Sequence, residues 1–84
     1  MNARQQLTMK RALEVLDPLP GGICAAPLFD QVERMVGTAL TDAERGSALA
    51  WMGARGWVRT ARHAFTDEVI YFITDAGRMA MIGL

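Results

Sequence analysis

The hydrophobic period of this chain changes at Gly56. Before it, apolar residues recur mostly three and four apart, the spacing of one helical face. After it, Trp57 to about His63 and Val69-Ile70-Tyr71-Phe72-Ile73 read as strands, the second rich in β-branched and aromatic residues. Two strands cannot bury a face alone, so they must pack on the helices that precede them.

The segment leading into Gly56 has the best-marked helix start in the chain. Thr41-Asp42-Ala43-Glu44 is a capping box, with glutamate three residues after the threonine cap. It predicts a helix from about Asp42 to Arg55, with Leu49, Met52 and Gly56 along one apolar edge and Ala43, Gly46, Ala50 and Gly53 along a small-residue edge. A helix over Ala25 to Val36 precedes it, with Pro27 in the first turn and Gly37 just past the end. Its expected buried stripe is Leu28, Val32, Met35 and Val36, with Phe29 beside it. These two helices, joined by a few residues, form a helix-turn-helix pattern.

Upstream, Met9, Ala12, Leu13 and Leu16 share one face of a first helix that starts near Asn2 or Thr8 and stops at Asp17-Pro18. Pro20-Gly21-Gly22 is a turn, and Ile23-Cys24 is a candidate very short strand. Downstream, Ala64 to Glu68 makes a hairpin loop without an Asn-Gly signature. Thr74-Asp75 caps a short final helix running through Met81. The expected architecture is α+β: a three-helix core, a two- or three-stranded antiparallel wing and a short C-terminal helix, all in one domain over residues 1–84.

Composition limits the chemistry. At 84 residues, 51% hydrophobic and 21% charged, the chain has a core and no disulfide, because Cys24 is its one cysteine. That is expected of a reducing cytoplasm. Cys24 and His63 are too few for a structural zinc site, so no metal is expected. No apolar segment suits a signal peptide or a membrane span. No phosphate loop, metalloprotease helix or dinucleotide fingerprint is present, and no orienting group can be assigned to a Cys24–His63 pair. No catalytic residues and no cofactor are expected. Nine basic and nine acidic side chains leave no net charge, whereas a nucleic-acid binder usually carries a basic excess.

Two patterns carry a resemblance. Leu49-x-x-Met52-x-x-x-Gly56-Trp57-Val58 is similar to the helix-to-wing junction of bacterial winged-helix transcription regulators, and Tyr71-x-Ile73-Thr74-x-x-Gly77 resembles their exit from the second wing strand. The element order fits the same fold over nearly the whole chain. The resemblance implies a winged helix-turn-helix whose third helix enters the major groove of double-stranded DNA while the wing touches backbone or minor groove. Carried onto this sequence, the outward positions of that helix are about Asp42, Arg45, Gly46, Ser47, Ala50, Trp51, Ala54 and Arg55. The DNA-contacting set is then Arg45, Ser47, Arg55, Arg59, Arg62 and His63. Asp42, Glu44, Asp67 and Glu68 would repel phosphate.

A different reading stands beside this one. The chain is a winged-helix module that binds a protein through Trp51, as an adaptor or as an inhibitor encoded by a phage or other mobile element. Trp57 is expected in the core. Met79, Met81, Ile82 and Leu84, with Met9, Leu13 and Leu16, form either a homodimer interface or an intrachain cover for the first helix.

Overall fold

The computed structural model describes residues 2–84. Helix α1 (Ala3–Leu16) is followed by β1 (Ile23–Cys24), α2 (Ala25–Val36), α3 (Asp42–Ala54), β2 (Val58–Arg62), β3 (Val69–Ile73) and α4 (Asp75–Gly83). No helix among the described residues is long and apolar enough to cross a membrane.

Helix α1 begins at Asn2 through a capping box of its own: Asn2 accepts from the Gln5 backbone N–H, and the Gln5 side chain accepts from that of Asn2. Its stripe of Met9, Ala12, Leu13 and Leu16 is fully buried, as the spacing predicts. Thr8 joins that buried face, its hydroxyl donating to the Arg4 carbonyl at 2.8 Å. Leu28, Phe29 and Val32 of α2, Ala48 and Met52 of α3, and Val58 and Ile73 of the sheet complete the core with Leu40. Met35 departs from expectation, at 44% exposed. The buried arc of α2 runs from Leu28 through Val32 to Phe29, and at about 100° per residue Met35 falls on its edge in the last turn.

The sheet has strand order β1-β3-β2 and is antiparallel throughout. Ile23 faces Tyr71 and Cys24 faces Ile70, so the two-residue strand makes the wing three-stranded. Gly22 permits that approach. Its φ is +72°, and a Cβ there would lie 2.6 Å from Ile70 Cγ2 and 2.8 Å from the Tyr71 carbonyl oxygen. Pairing of β2 with β3 runs from Val58↔Ile73 to Arg62↔Val69. His63, expected at the end of this strand, lies just beyond it. Its backbone closes the hairpin instead, donating to the Glu68 carbonyl at 2.8 Å and accepting from the Asp67 N–H at 3.0 Å.

Gly77 marks where α4 crosses the start of the wing. A Cβ there would sit 2.2 Å from the Trp57 carbonyl oxygen, and that oxygen accepts the Thr74 N–H at 3.0 Å. Trp57 is therefore held by its backbone at this junction. Trp57 is partly buried and packs against the core, at its margin rather than enclosed within it. Helix α4 returns over α1, with Ala80, Met81 and Leu84 against the core and the Lys10 ammonium donating to the Leu84 carbonyl at 3.0 Å. The intrachain cover over Met9, Leu13 and Leu16 is thus real. Met79 and Ile82 remain outside it, 75% and 82% exposed.

Two expected outcomes follow from this junction. Gly77→Ala forces α4 away from the backbone of Trp57 and should cost about 1–3 kcal/mol in urea melts, the range for overpacking a filled site. Trp57→Ala should cost about 2 kcal/mol in the same melts, below the usual value for a fully buried aromatic, because the side chain is only partly buried.

Candidate nucleic-acid interface

The surface a winged helix would offer to DNA consists of α3, strand β2 and the hairpin tip. Helix α3 is positioned at its N-terminus by polar contacts. Thr41 Oγ1 accepts from the Glu44 N–H at 3.1 Å, and Glu44 Oε1 accepts from the Thr41 N–H at 3.1 Å. The expected repulsion by Glu44 is offset by Arg4, whose guanidinium is ion-paired with it. Arg4 also donates to Thr38 Oγ1 at 2.9 Å and to the Ala39 carbonyl at 3.0 Å. One arginine on α1 thus holds both the turn and the first turn of α3.

Arg45 is fixed in the same manner. It is ion-paired with Glu33 of α2, and its guanidinium carbon lies 5.7 Å from the centre of the Phe29 ring. It points back to α2 rather than outward, which corrects its expected placement on the exposed face. Trp51 is also turned in, half-buried against the core. What α3 does expose is Asp42, Ala43, Gly46, Ser47, Ala50, Gly53, Ala54 and Arg55. Beyond the acidic first residue and the closing arginine, Ser47 is the one polar side chain on that face.

The remaining cations lie at the helix end and on the wing. Arg55 caps α3 and stacks on Trp51, 3.8 Å from its ring centre, while Arg59 lies 4.4 Å from the centre of Phe72. Neither is in an ion pair among the described residues. Arg62 is 67% exposed and pairs with Asp67 at 3.2 Å. The strand register separates these arginines. Val58, Thr60 and Arg62 share one face with their partners Ile73, Tyr71 and Val69, whereas Arg59 and Ala61 share the other face with Phe72 and Ile70. A spacing of three along a strand puts Arg59 and Arg62 on opposite faces, so they do not form one row.

At the hairpin tip, His63 Nδ1 accepts the N–H groups of Phe65 at 3.2 Å and Thr66 at 3.4 Å. The expected acids at the tip are both engaged: Asp67 by Arg62, and Glu68 by the Cys24 thiol, which donates to Oε2 at 3.2 Å. That contact pushes the Cys24 thiol above its ordinary range, the reverse of what a nucleophile requires. Cys24 and His63 thus serve different partners. Sequence reasoning did not single out Phe65, the most exposed large apolar side chain at 94%.

A small hollow lies between α1 and α3, lined by Gln5, Thr8, Met9, Glu44, Ser47, Ala48 and Trp51, and offers about 20 Å³. That is room for a single water. Among the described residues no group of three or more His, Cys, Asp or Glu side chains is placed to hold a metal ion.

The pairing with Arg4 and the backbone bond from Thr41 hold the Glu44 carboxyl well down, from an ordinary 4.5 to about 2. A depressed folded-state value adds stability above the ordinary carboxylate range and loses it as pH falls toward the folded value. Glu44→Gln should therefore destabilise the chain near neutral pH, and its difference from wild type should shrink as melts are run down to about pH 2. A difference that stays constant with pH would show that the carboxylate charge plays no part.

No model of a known protein family matches this sequence, and no curated protein matches it. Solved structures do. A proposed transcriptional regulator from Thermoplasma acidophilum superposes with a TM-score of 0.76 at 22% identity, covering 95% of this chain and 76% of its own. The PcaV transcriptional regulator from Streptomyces coelicolor, solved with its natural ligand, gives 0.72 at 17% identity. The match covers 98% of this chain and 51% of PcaV, so this chain spans about half of that protein. The complex structure of hsRosR-S1 gives 0.73 at 18% identity, covering 99% of this chain and 68% of that one. With four helices and a three-stranded antiparallel sheet superposing on these proteins, the chain has the winged helix-turn-helix fold.

Proposed function

We propose that this chain is a non-enzymatic DNA-binding domain of the regulator type, acting in the cytoplasm, which holds duplex DNA through its phosphates more than through base edges. The carrying observation is the winged-helix fold together with Arg55 and Arg59, which form no ion pair among the described residues and lie at the end of α3 and on β2. Phosphate contacts position a protein on DNA, while base contacts specify sequence. The exposed face of α3 holds almost nothing that reads bases, but its small side chains let the helix backbone come close to the groove floor.

In this reading Arg55, Arg59 and Arg62 take phosphates, Ser47 and His63 add hydrogen bonds, and Arg45 acts indirectly by fixing α3 against α2. Arg62 must exchange its exposed pair with Asp67 for phosphate, which costs little because surface pairs are weak. Exposed Met79 and Ile82 on α4 are the surface that a second copy would cover in a homodimer.

A protein-binding reading is favoured by one observation. Trp51 and Arg55 are stacked beside the small-residue face of α3, an arrangement that suits a protein surface as well as a groove. Salt titration separates the two. Three phosphate contacts per chain predict a slope of log affinity on log salt of about −2.7, at roughly −0.9 per contact. Arg59→Ala should reduce that slope by about one unit and weaken all sequences alike. Arg45→Ala should lower the melting temperature and leave the slope unchanged. Failure of the wild-type chain to bind random duplex DNA at low salt would overturn the DNA reading and favour the protein partner.

A further inference from the structure

Phe65 stands at the far end of the β2–β3 hairpin with 94% of its surface in water. Isolated apolar residues on a surface usually need no explanation. This one differs because the loop beneath it is held. His63 Nδ1 accepts from the N–H groups of both Phe65 and Thr66, and the His63 ring lies tilted beside the Phe65 ring, centroids 6.0 Å apart. Arg62 closes the base of the loop, donating to the Asp67 carbonyl at 3.4 Å and pairing with its carboxylate. Asp67 takes a left-handed backbone, φ 58°, to complete the turn. The loop thus presents the ring outward rather than folding it back onto the sheet.

The surroundings of the ring point to its occupant. A protein hot spot lies inside a patch of neighbours that exclude water, but Ala64, Thr66 and Asp67 beside Phe65 are small or polar and exposed. A single projecting ring on a narrow ribbon suits a cleft one side chain wide. The minor groove, about 6 Å across, is such a cleft, and apolar wedges enter it between base steps. Asp67 beside the ring is paired with Arg62, while Glu68 accepts the neutral Cys24 thiol and keeps its charge, so shape and not charge carries this assignment.

We propose that Phe65 is an apolar wedge that enters the minor groove of duplex DNA from the hairpin tip and partly unstacks one base step. The proposal rests on the DNA-binding reading above. It supplies selectivity that α3 lacks, since pyrimidine–purine steps such as TA are the easiest to unstack and kink. The chain would then favour DNA by deformability at the wing, not by hydrogen bonds in the major groove.

The test uses the full chain and two duplexes end-labelled with a donor–acceptor pair, one rich in TA steps and one in G·C. Wild type should bind the TA-rich duplex more tightly and shorten its end-to-end distance. Phe65→Ala should keep its melting temperature, bind the TA-rich duplex about tenfold more weakly, lose the bend and retain the salt slope. Phe65→Leu, which keeps an apolar wedge, should restore most of the bend. If Phe65→Ala bends and binds like wild type while Arg59→Ala weakens binding, the wedge falls and the DNA reading stands. If wild type binds neither duplex, both fall. If Phe65→Ala abolishes self-association in sedimentation with DNA bending intact, Phe65 is a protein contact and the wedge is overturned.

Discussion

Met9, Ala12, Leu13 and Leu16 leave α1 with at most 1% of their surface in water, and α1 contacts α2, α3, α4 and β3. Burial of this one stripe places nearly everything else. Each large side chain in it is worth roughly 1.5–3 kcal/mol of transfer from water, and a domain of this size has only a few kcal/mol of net stability. The helix-turn-helix and the wing are therefore not separately stable units joined together. They are faces of a common core, and α4 closes the side that α2 and α3 leave open.

Polar contacts then set the angles that apolar burial leaves soft. Arg4 reaches from α1 to Thr38, Ala39 and Glu44, so the turn and the start of α3 move with α1. Arg45 ties α3 to Glu33 of α2. These pairs also redistribute charge. A net charge of zero is not an even surface, because Glu33, Glu44, Asp17 and Asp75 are committed to Arg45, Arg4 and Arg78 within the helical body. Arg55 and Arg59 are left stacked on Trp51 and Phe72 at the end of α3 and on the wing. Stacking holds a guanidinium in place while leaving its N–H groups open to an anion.

The exposed face of α3 is made largely of small side chains, as the spacing predicts. A recognition helix normally carries long polar side chains, and here Gly46, Ala50, Gly53 and Ala54 carry none. A helix of this kind can approach another surface closely but can discriminate little by itself. Under the proposed DNA-binding function, discrimination would come from elements at its margins, such as the hairpin tip.

Local rules determined much of this fold from sequence. The bounds of α2 and β3, the Thr41 capping box and the buried stripe of α1 depend on spacing of three and four, alternation of two and short-range caps, all legible in one chain. Alternation could also have shown that Arg59 and Arg62 point to opposite faces, since three residues is an odd step along a strand. The tertiary structure decided the rest. Arg4 with Glu44 spans forty positions, and no local pattern pairs them. Arg45 turns inward because Glu33 and Phe29 of another helix lie beside it, and Met35, at the edge of the buried arc of α2, is left exposed. Gly77 of α4 lies against the Trp57 carbonyl, an approach that no local pattern predicts. Sequence spacing sets which face a residue occupies on its own element, but which faces meet is decided only when the elements pack together.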